Sequence, residues 1–404
     1  MAGWKNTALA NVLEVQNGYA FDSKAFGASG MPVIRIRDLK AGLSTETRYG
    51  GEFDAKYIVN AGDFLIGMDG EFGCYEWKGE PALLNQRVCR LQGFSDSLDA
   101  RFLYYGINAH LKAIEAVTGY TTVKHLSSKQ VIGIELLVPP KNEQRRIVAI
   151  LDEAFEAIAT AKANTEKNLQ NARRFYECQL ESLFAFEDTN WPERPLDQVA
   201  TIINGYAFKS TDFQGTLGIR SIKITNVGVR VFVDDQGNYL PTAFCRKYTG
   251  VAVAQGNIVL ALTRTIIASG LKVAIVPNEF DGALLNQRVA AIQPNADVLE
   301  TPFLFAYLST RRVVNYVKSR VNTLMQPNLS IADLRRLPLP IPAISKQREI
   351  VAVLTRFDDL SRELESVYLR RLAALDDLKR SLLQQAFSGG LTAKSTDIQV
   401  TEFA

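Results

Sequence analysis

Histidine is almost missing from this chain: His110 and His125 are the only two in 404 residues. A metal centre built on imidazoles is therefore nearly excluded. The four cysteines, Cys74, Cys89, Cys178 and Cys245, form no Cys-x-x-Cys pair and occupy unrelated places along the chain. That pattern argues against a zinc-binding or disulfide framework and for scattered free thiols in a reducing compartment. No apolar run approaches the roughly 20 residues that span a bilayer. No signal-type stretch follows Met1-Ala-Gly-Trp-Lys5. The expectation is a cytoplasmic protein with no membrane partner. An excess of one charge is lacking too. The net charge is only +3, so any affinity for nucleic acid must come from a local basic face.

Catalytic signatures are also absent. There is no phosphate-binding Gly-x-x-x-x-Gly-Lys-Ser/Thr loop, no Gly-x-Gly-x-x-Gly fingerprint and no Gly-x-Ser-x-Gly elbow. The Pro139-Pro140 pair is flanked by Val138 and Lys141 and does not form the motif of an amino-methyltransferase. Asp63, Asp69 and Glu71 lie close in sequence. Nothing near them completes a catalytic set, and a turn or solvated loop is the simpler account.

What the chain does have, it has twice. Asn17-Gly-Tyr-Ala-Phe21 returns as Asn204-Gly-Tyr-Ala-Phe208, and Leu83-Leu-Asn-Gln-Arg-Val88 returns as Leu284-Leu-Asn-Gln-Arg-Val289. Gln144-Arg-Arg-Ile-Val-Ala-Ile-Leu151 returns as Gln347-Arg-Glu-Ile-Val-Ala-Val-Leu354. The order is kept and the offset drifts only from 187 to 203. A repeat of about two hundred residues is a domain with its connector, not a solenoid unit.

The first part of each repeat is rich in short β-type runs. Pro32–Arg37 and Ser221–Thr225 alternate as half-buried strands do, which places Arg35 and Arg37 on one strand face, with Lys223 equivalent to Arg35. Ala61–Ile66 and Gln255–Leu260 read as a glycine turn followed by a strand. Helices are predicted at Arg101–Val117 and Pro302–Val317. After Pro139-Pro140 and Pro340-Ile-Pro342, Asn142 and Ser345 are candidate helix caps. The next forty or so residues then lack proline and glycine. Apolar or small residues recur at three-four spacing, through Ile147, Leu151, Ile158, Ala172, Tyr176 and Leu183, and through Ile350, Leu354, Phe357, Val367, Leu378 and Leu382. Each helix would be about 60 Å long and needs a partner for its stripe. Antiparallel pairing of the two is the simplest solution; folding back on the neighbouring domain is the alternative.

The predicted class is α+β (mixed): two pseudo-symmetric globular α/β domains separated by two long antiparallel coiled-coil helices. The expected boundaries are 1–140 for the first domain, 141–187 for its helix, 188–342 for the second domain, 343–390 for its helix, and 391–404 for a polar tail.

With no chemistry in view, recognition remains. Asn85-Gln86-Arg87 and Asn286-Gln287-Arg288 carry side chains able to read base edges. Their identity in both halves favours a structural or phosphate role for Arg87 and Arg288. The divergent segments suit reading better. Gly67–Gly73, with Met68, Asp69 and Glu71, stands opposite Ala261–Ile267, with Thr263, Arg264 and Thr265. Thr118–His125, with Tyr120, Thr121, Thr122 and Lys124, stands opposite Val321–Asn328, with Asn322, Gln326 and Asn328. Ordinary loop drift would give the same divergence. Lys112, Arg311, Arg312 and Lys318 could hold phosphates or simply face solvent.

The duplicated Asn-Gly-Tyr-Ala-Phe segments, the strand at Pro32–Arg37, the turn at Ala61–Ile66, and the entries Val138–Gln144 and Ile341–Gln347 into long helices together resemble the specificity subunit of type I restriction-modification systems. The resemblance covers nearly the whole chain. It implies that each of two target-recognition domains reads one half of a bipartite site on double-stranded DNA, and that the coiled coil sets the spacing. It implies no catalysis and no cofactor in this chain. Two methyltransferase (modification) subunits would bring S-adenosylmethionine, and restriction/translocase subunits would bring Mg/ATP. Phe155, Phe175 and Phe184 are candidates for docking those partners, or else for packing the coiled coil. The specificity subunit of a type IIB-like restriction-methylation enzyme and a protein scaffold without DNA affinity are the alternatives.

Overall fold

The computed structural model describes residues 3–119, 124–185, 191–215, 217–235, 237–320 and 328–392. The chain divides into two compact units, residues 1–165 with 370–404, and residues 166–369.

The first unit is built on a four-stranded antiparallel sheet. Its strands, in chain order, are β1 (Glu14–Asn17), β2 (Phe64–Gly67), β3 (Gly73–Glu76) and β4 (Val88–Gln92), arranged β1-β4-β2-β3. Helix α1 (Ala100–Val117) packs on this sheet. Asp99 caps it by accepting the N–H groups of Arg101 and Phe102. Phe102, Leu103, Ile107 and Leu111 face inward at helical spacing and are fully buried. Each contributes roughly 1.5–3 kcal/mol of burial. Helix α2 (Lys141–Leu183) adds Ile147 and Leu151 to the same core.

The second unit repeats the plan. Strands β5 (Ala200–Asn204), β6 (Ile258–Ala261), β7 (Val273–Ile275) and β8 (Val289–Pro294) form a sheet ordered β5-β8-β6-β7. The single predicted helix is two here, α3 (Thr301–Leu308) and α4 (Arg311–Arg320). The break has a chemical cause. Ser309 and Thr310 turn their hydroxyls back onto the carbonyls of Phe305 and Tyr307, and their N–H groups make i→i−3 bonds. Helix α5 (Ile344–Phe387) places Ile350 and Leu354 in this core.

Both long helices start one residue after Pro140 and Ala343, whose carbonyls accept the first helical bonds. Asn142 and Ser345 therefore lie in the first turn, not at the cap. Within each unit α2 and α5 run antiparallel. In the first, Lys162 pairs with Asp376 and Lys379 lies 5.0 Å over the Phe155 ring. In the second, Arg173 pairs with Glu365 at 3.2 Å and Phe175 meets Phe357 edge-on at 5.3 Å. Of the predicted seam, Ile147, Leu151, Ile158, Ala172, Tyr176, Ile350 and Leu354 are buried, Leu183, Phe357 and Leu382 are half-buried, and Val367 and Leu378 are 41% and 47% exposed. Buried Thr165 and Ser361 satisfy their hydroxyls on the carbonyls of Ala161 and Ala172. The predicted tail begins too early, since Leu391 packs on the first core and Thr392 bonds Glu143.

Candidate nucleic-acid interface

The repeated motifs meet on a shared backbone framework. The N–H of Gly18 donates to the Val88 carbonyl, and Tyr19 bridges Asn85. Gly205 donates to Val289, and Tyr206 bridges Asn286. A Cβ on Gly18 or Gly205 would lie 2.0 Å from the carbonyl oxygen of Asn85 or Asn286. The repeated pairs thus hold the framework together, and the side chains around them differ.

In the first unit, Arg35, Arg37 and Asn85–Arg87 line an open cavity of about 460 Å³ with the rings of Phe21 and Phe26. The strand Met31–Ile34 ends before either arginine. Arg35 instead caps a short helix, its N–H donating to Asp38, and its guanidinium sits 5.3 Å over Phe26. The shared strand face is thus corrected to a shared cavity. Arg37 is exposed and touches Thr47 at 3.3 Å. Arg87 reaches Asp69, whose other oxygen lies 2.6 Å from Nδ1 of His125. Burial works against the Asp69 carboxylate, but the hydrogen bonds from His125 and Arg87 outweigh it and hold its pKa below the ordinary value.

The other first-unit candidates lie elsewhere. Met68 is in the hydrophobic core and cannot reach DNA. Glu71 is exposed and held by Lys40 and Lys112, which pull its pKa down to about 2. The Lys124 ammonium donates to the Glu115 carbonyl at 2.6 Å. Tyr120, Thr121 and Thr122 lie outside the described residues.

In the second unit, Lys223 takes the place of Arg35. Its N–H donates to Asn226 at 2.8 Å and its ammonium sits 3.6 Å from the Phe213 ring centroid. Burial pushes its pKa down. Leu262 corresponds to Met68: each donates to the carbonyl of its own arginine, Arg288 or Arg87. Each also accepts from a leucine, Leu329 or Leu126. Thr263 then bridges Asn328, as Asp69 bridges His125. Arg264 and Arg288 are exposed. Thr265 is fully buried, bonded to the Leu262 carbonyl, and is not available for contact. Asn322 and Gln326 lie outside the described residues.

The helix phenylalanines do not form an open docking face. Phe184 is buried against Phe303 and Tyr307 in the second core, a correction to its candidacy. Phe155 and Phe175 are half-buried against Tyr105 and Phe357. Exposed apolar residues on α5 are Leu360, Val367 and Leu369 in the second unit and Leu378 in the first. Lys112 and Arg312 are committed to Glu71 and Glu115, and to Glu193.

The sequence reading missed two exposed tyrosines, Tyr19 at 51% and Tyr206 at 45%, whose rings lie tilted 5.2 Å from Tyr57 and 4.7 Å from Tyr248. Their signal was the repeated motif itself, read only as a marker of duplication. Among the described residues no helix is long and apolar enough to cross a membrane, and no cluster of His, Cys, Asp and Glu could hold a metal ion.

The sequence profile of the type I restriction modification DNA specificity domain matches residues 1–171 and again 188–370. The chain belongs to this family. It is 28% identical to the EcoBI specificity subunit of Escherichia coli over 97% of this chain and 87% of that protein. It is 24% identical to the MjaVIII specificity subunit of Methanocaldococcus jannaschii, over 84% and 81%. The fold is shared with the HsdS subunit from Thermoanaerobacter tengcongensis, with a TM-score of 0.60 at 17% identity, covering 97% of this chain and 98% of that one. A chain from a structural study of type I R-M complex assembly and conformational transition gives 0.71 at 17% identity, covering 97% and 99%. The chain is a specificity subunit of the type I class, and neither the type IIB-like nor the scaffold alternative is favoured.

Proposed function

We propose that each unit of this specificity subunit reads one half of a bipartite DNA target. The observation that carries this is matched placement with unmatched chemistry. Asp69-Gly70 and Thr263-Arg264 leave the same framework site, beside Arg87 and Arg288. A pair of domains reading different half-sites needs a constant scaffold and variable reading positions. The nearly neutral charge is consistent with partners supplying much of the phosphate contact.

In this reading the subunit performs no catalysis and holds no cofactor. Two modification subunits carry S-adenosylmethionine and methylate adenine, while restriction/translocase subunits use Mg/ATP to cleave unmethylated DNA. The paired helices set the distance between half-sites. Leu360, Val367 and Leu369 of the second unit and Leu378 of the first, each 41–50% exposed on α5, are the apolar contacts on offer to those partners. The test is a domain exchange. Replacing residues 1–140 with the equivalent domain of a relative should change one half of the methylated motif and leave the other. A change in both halves would refute independent reading.

A further inference from the structure

Two residues other than glycine adopt a left-handed backbone among the described residues, and both are arginines of the second unit: Arg230 (φ +59°) and Arg264 (φ +49°). An L-residue there is strained, and such strain persists only where something compensates for it. For Arg230 the compensation is visible. Its guanidinium lies 3.8 Å from the Tyr176 ring centroid and 3.6 Å from the Asp358 carboxylate.

Arg264 has nothing comparable. It is exposed, and its side chain makes no hydrogen bond, ion pair or ring contact among the described residues. The repeat shows what the position requires. Counting from the matched pair Met68 and Leu262, Arg264 stands where the first unit has Gly70, also left-handed at φ +78°. Glycine is the residue this backbone favours. The second unit places there the bulkiest cation available. Its charge, moreover, sits near the Lys272 ammonium and, after burial, helps lower that group's pKa. The Thr265–Leu262 hydrogen bond and the Thr263–Asn328 bridge hold the strained turn, while nothing among the described residues engages the guanidinium, which leaves it for a ligand that offers acceptors.

We propose that Arg264 is the guanine-reading residue of the second recognition domain, its guanidinium donating to O6 and N7 of one guanine in the major groove. This rests on the half-site reading above. A phosphate contact would not explain the geometry, because a long side chain reaches a phosphate from many backbone positions. Bidentate base recognition fixes the approach far more narrowly. The bordering Thr263–Asn328 bridge holds the root of the loop.

The experiment uses the chain co-expressed with its modification subunit and reads adenine methylation across genomic DNA by single-molecule sequencing. Wild type is compared with Arg264→Gly, which restores the residue of the first unit, and domain exchange assigns the second half-site. Wild type should require a G·C pair at one position of that half. Arg264→Gly should relax that position alone, with discrimination falling roughly 10- to 100-fold. Its thermal midpoint should be equal to or above wild type, which separates lost reading from lost folding. An unchanged motif, or a second half with no required G·C pair, overturns the proposal. So does a uniform loss of methylation with a shallower salt dependence, which marks a phosphate anchor. In those cases a half-site that still follows domain exchange leaves independent reading intact. If the exchange itself fails to move one half, the broader reading is what fails.

Discussion

The amide oxygen of Gln144 accepts the backbone N–H of Asp99 at 2.7 Å, and Gln347 accepts that of Glu300 at 2.9 Å. Both glutamines are fully buried and donate to two carbonyls each: Ser97 and Pro139, and Val298 and Pro342. One side chain thus ties the start of each long helix to the start of its domain helix. Gln144→Leu keeps the volume but takes the partner from the half-buried Asp99 N–H and from the carbonyls of Ser97 and Pro139, of which Ser97 is exposed and can turn to water. Leaving a buried polar group unpaired costs about 1–3 kcal/mol. The expected loss is about 2–3 kcal/mol, seen as a lower urea midpoint. A loss below about 1 kcal/mol would show that the clamp is dispensable.

Gly205 should tolerate no side chain, because the alanine Cβ would meet the Asn286 carbonyl oxygen at 2.0 Å. Gly250, with nothing within 4 Å and no left-handed strain, is the matched control. Gly205→Ala is expected to destabilise the second unit by about 3 kcal/mol, at the upper end of overpacking costs. Gly250→Ala should change stability by less than about 1 kcal/mol. Thermal unfolding of the two variants side by side decides it.

Acid should weaken the Asp69 cluster in a defined direction. The folded carboxyl has a lowered pKa, so its contribution is fully present above the ordinary aspartate value and is lost as pH falls through the lowered one. The difference in thermal midpoint between wild type and Asp69→Asn should be fully present above the ordinary aspartate range and shrink as pH falls through the lowered pKa. A difference that persists undiminished in strong acid would contradict the assignment.

The cysteines should fall into two kinetic classes. Cys74 and Cys89 are buried, and burial raises both thiols, Cys89 up to about 12. Cys178 and Cys245 are exposed. Since the thiolate is the nucleophile, iodoacetamide at mildly alkaline pH should label two sites in the folded protein and four after denaturation. Mass spectrometry gives the count.

Much of this architecture was legible because it was written twice. Repeated motifs located equivalent backbone contacts, and proline-free stretches located the long helices. Individual side-chain roles were less legible. Arg35 and Arg37 looked like one strand face because alternation alone does not show where a strand stops. Met68 and Thr265 sat in divergent loops, yet one turns into the core and the other back onto its own backbone. The change from Asp63 to Asn257 makes sense only in three dimensions. Both cap the same turn, but Asp63 also pairs with Arg90, which is joined to Gln16, whereas the second sheet has Ala291 and Ile203 in those places. Pairwise exchanges of this kind are invisible to a reading that takes residues one at a time.

The most direct test of the central claim is adenine-methylation mapping of DNA from cells that express this chain with its modification subunit, and from cells lacking the chain. The account predicts a split motif with one methylated adenine on each strand, present only when the chain is present. An active modification subunit whose methylation pattern is the same with and without the chain would contradict it.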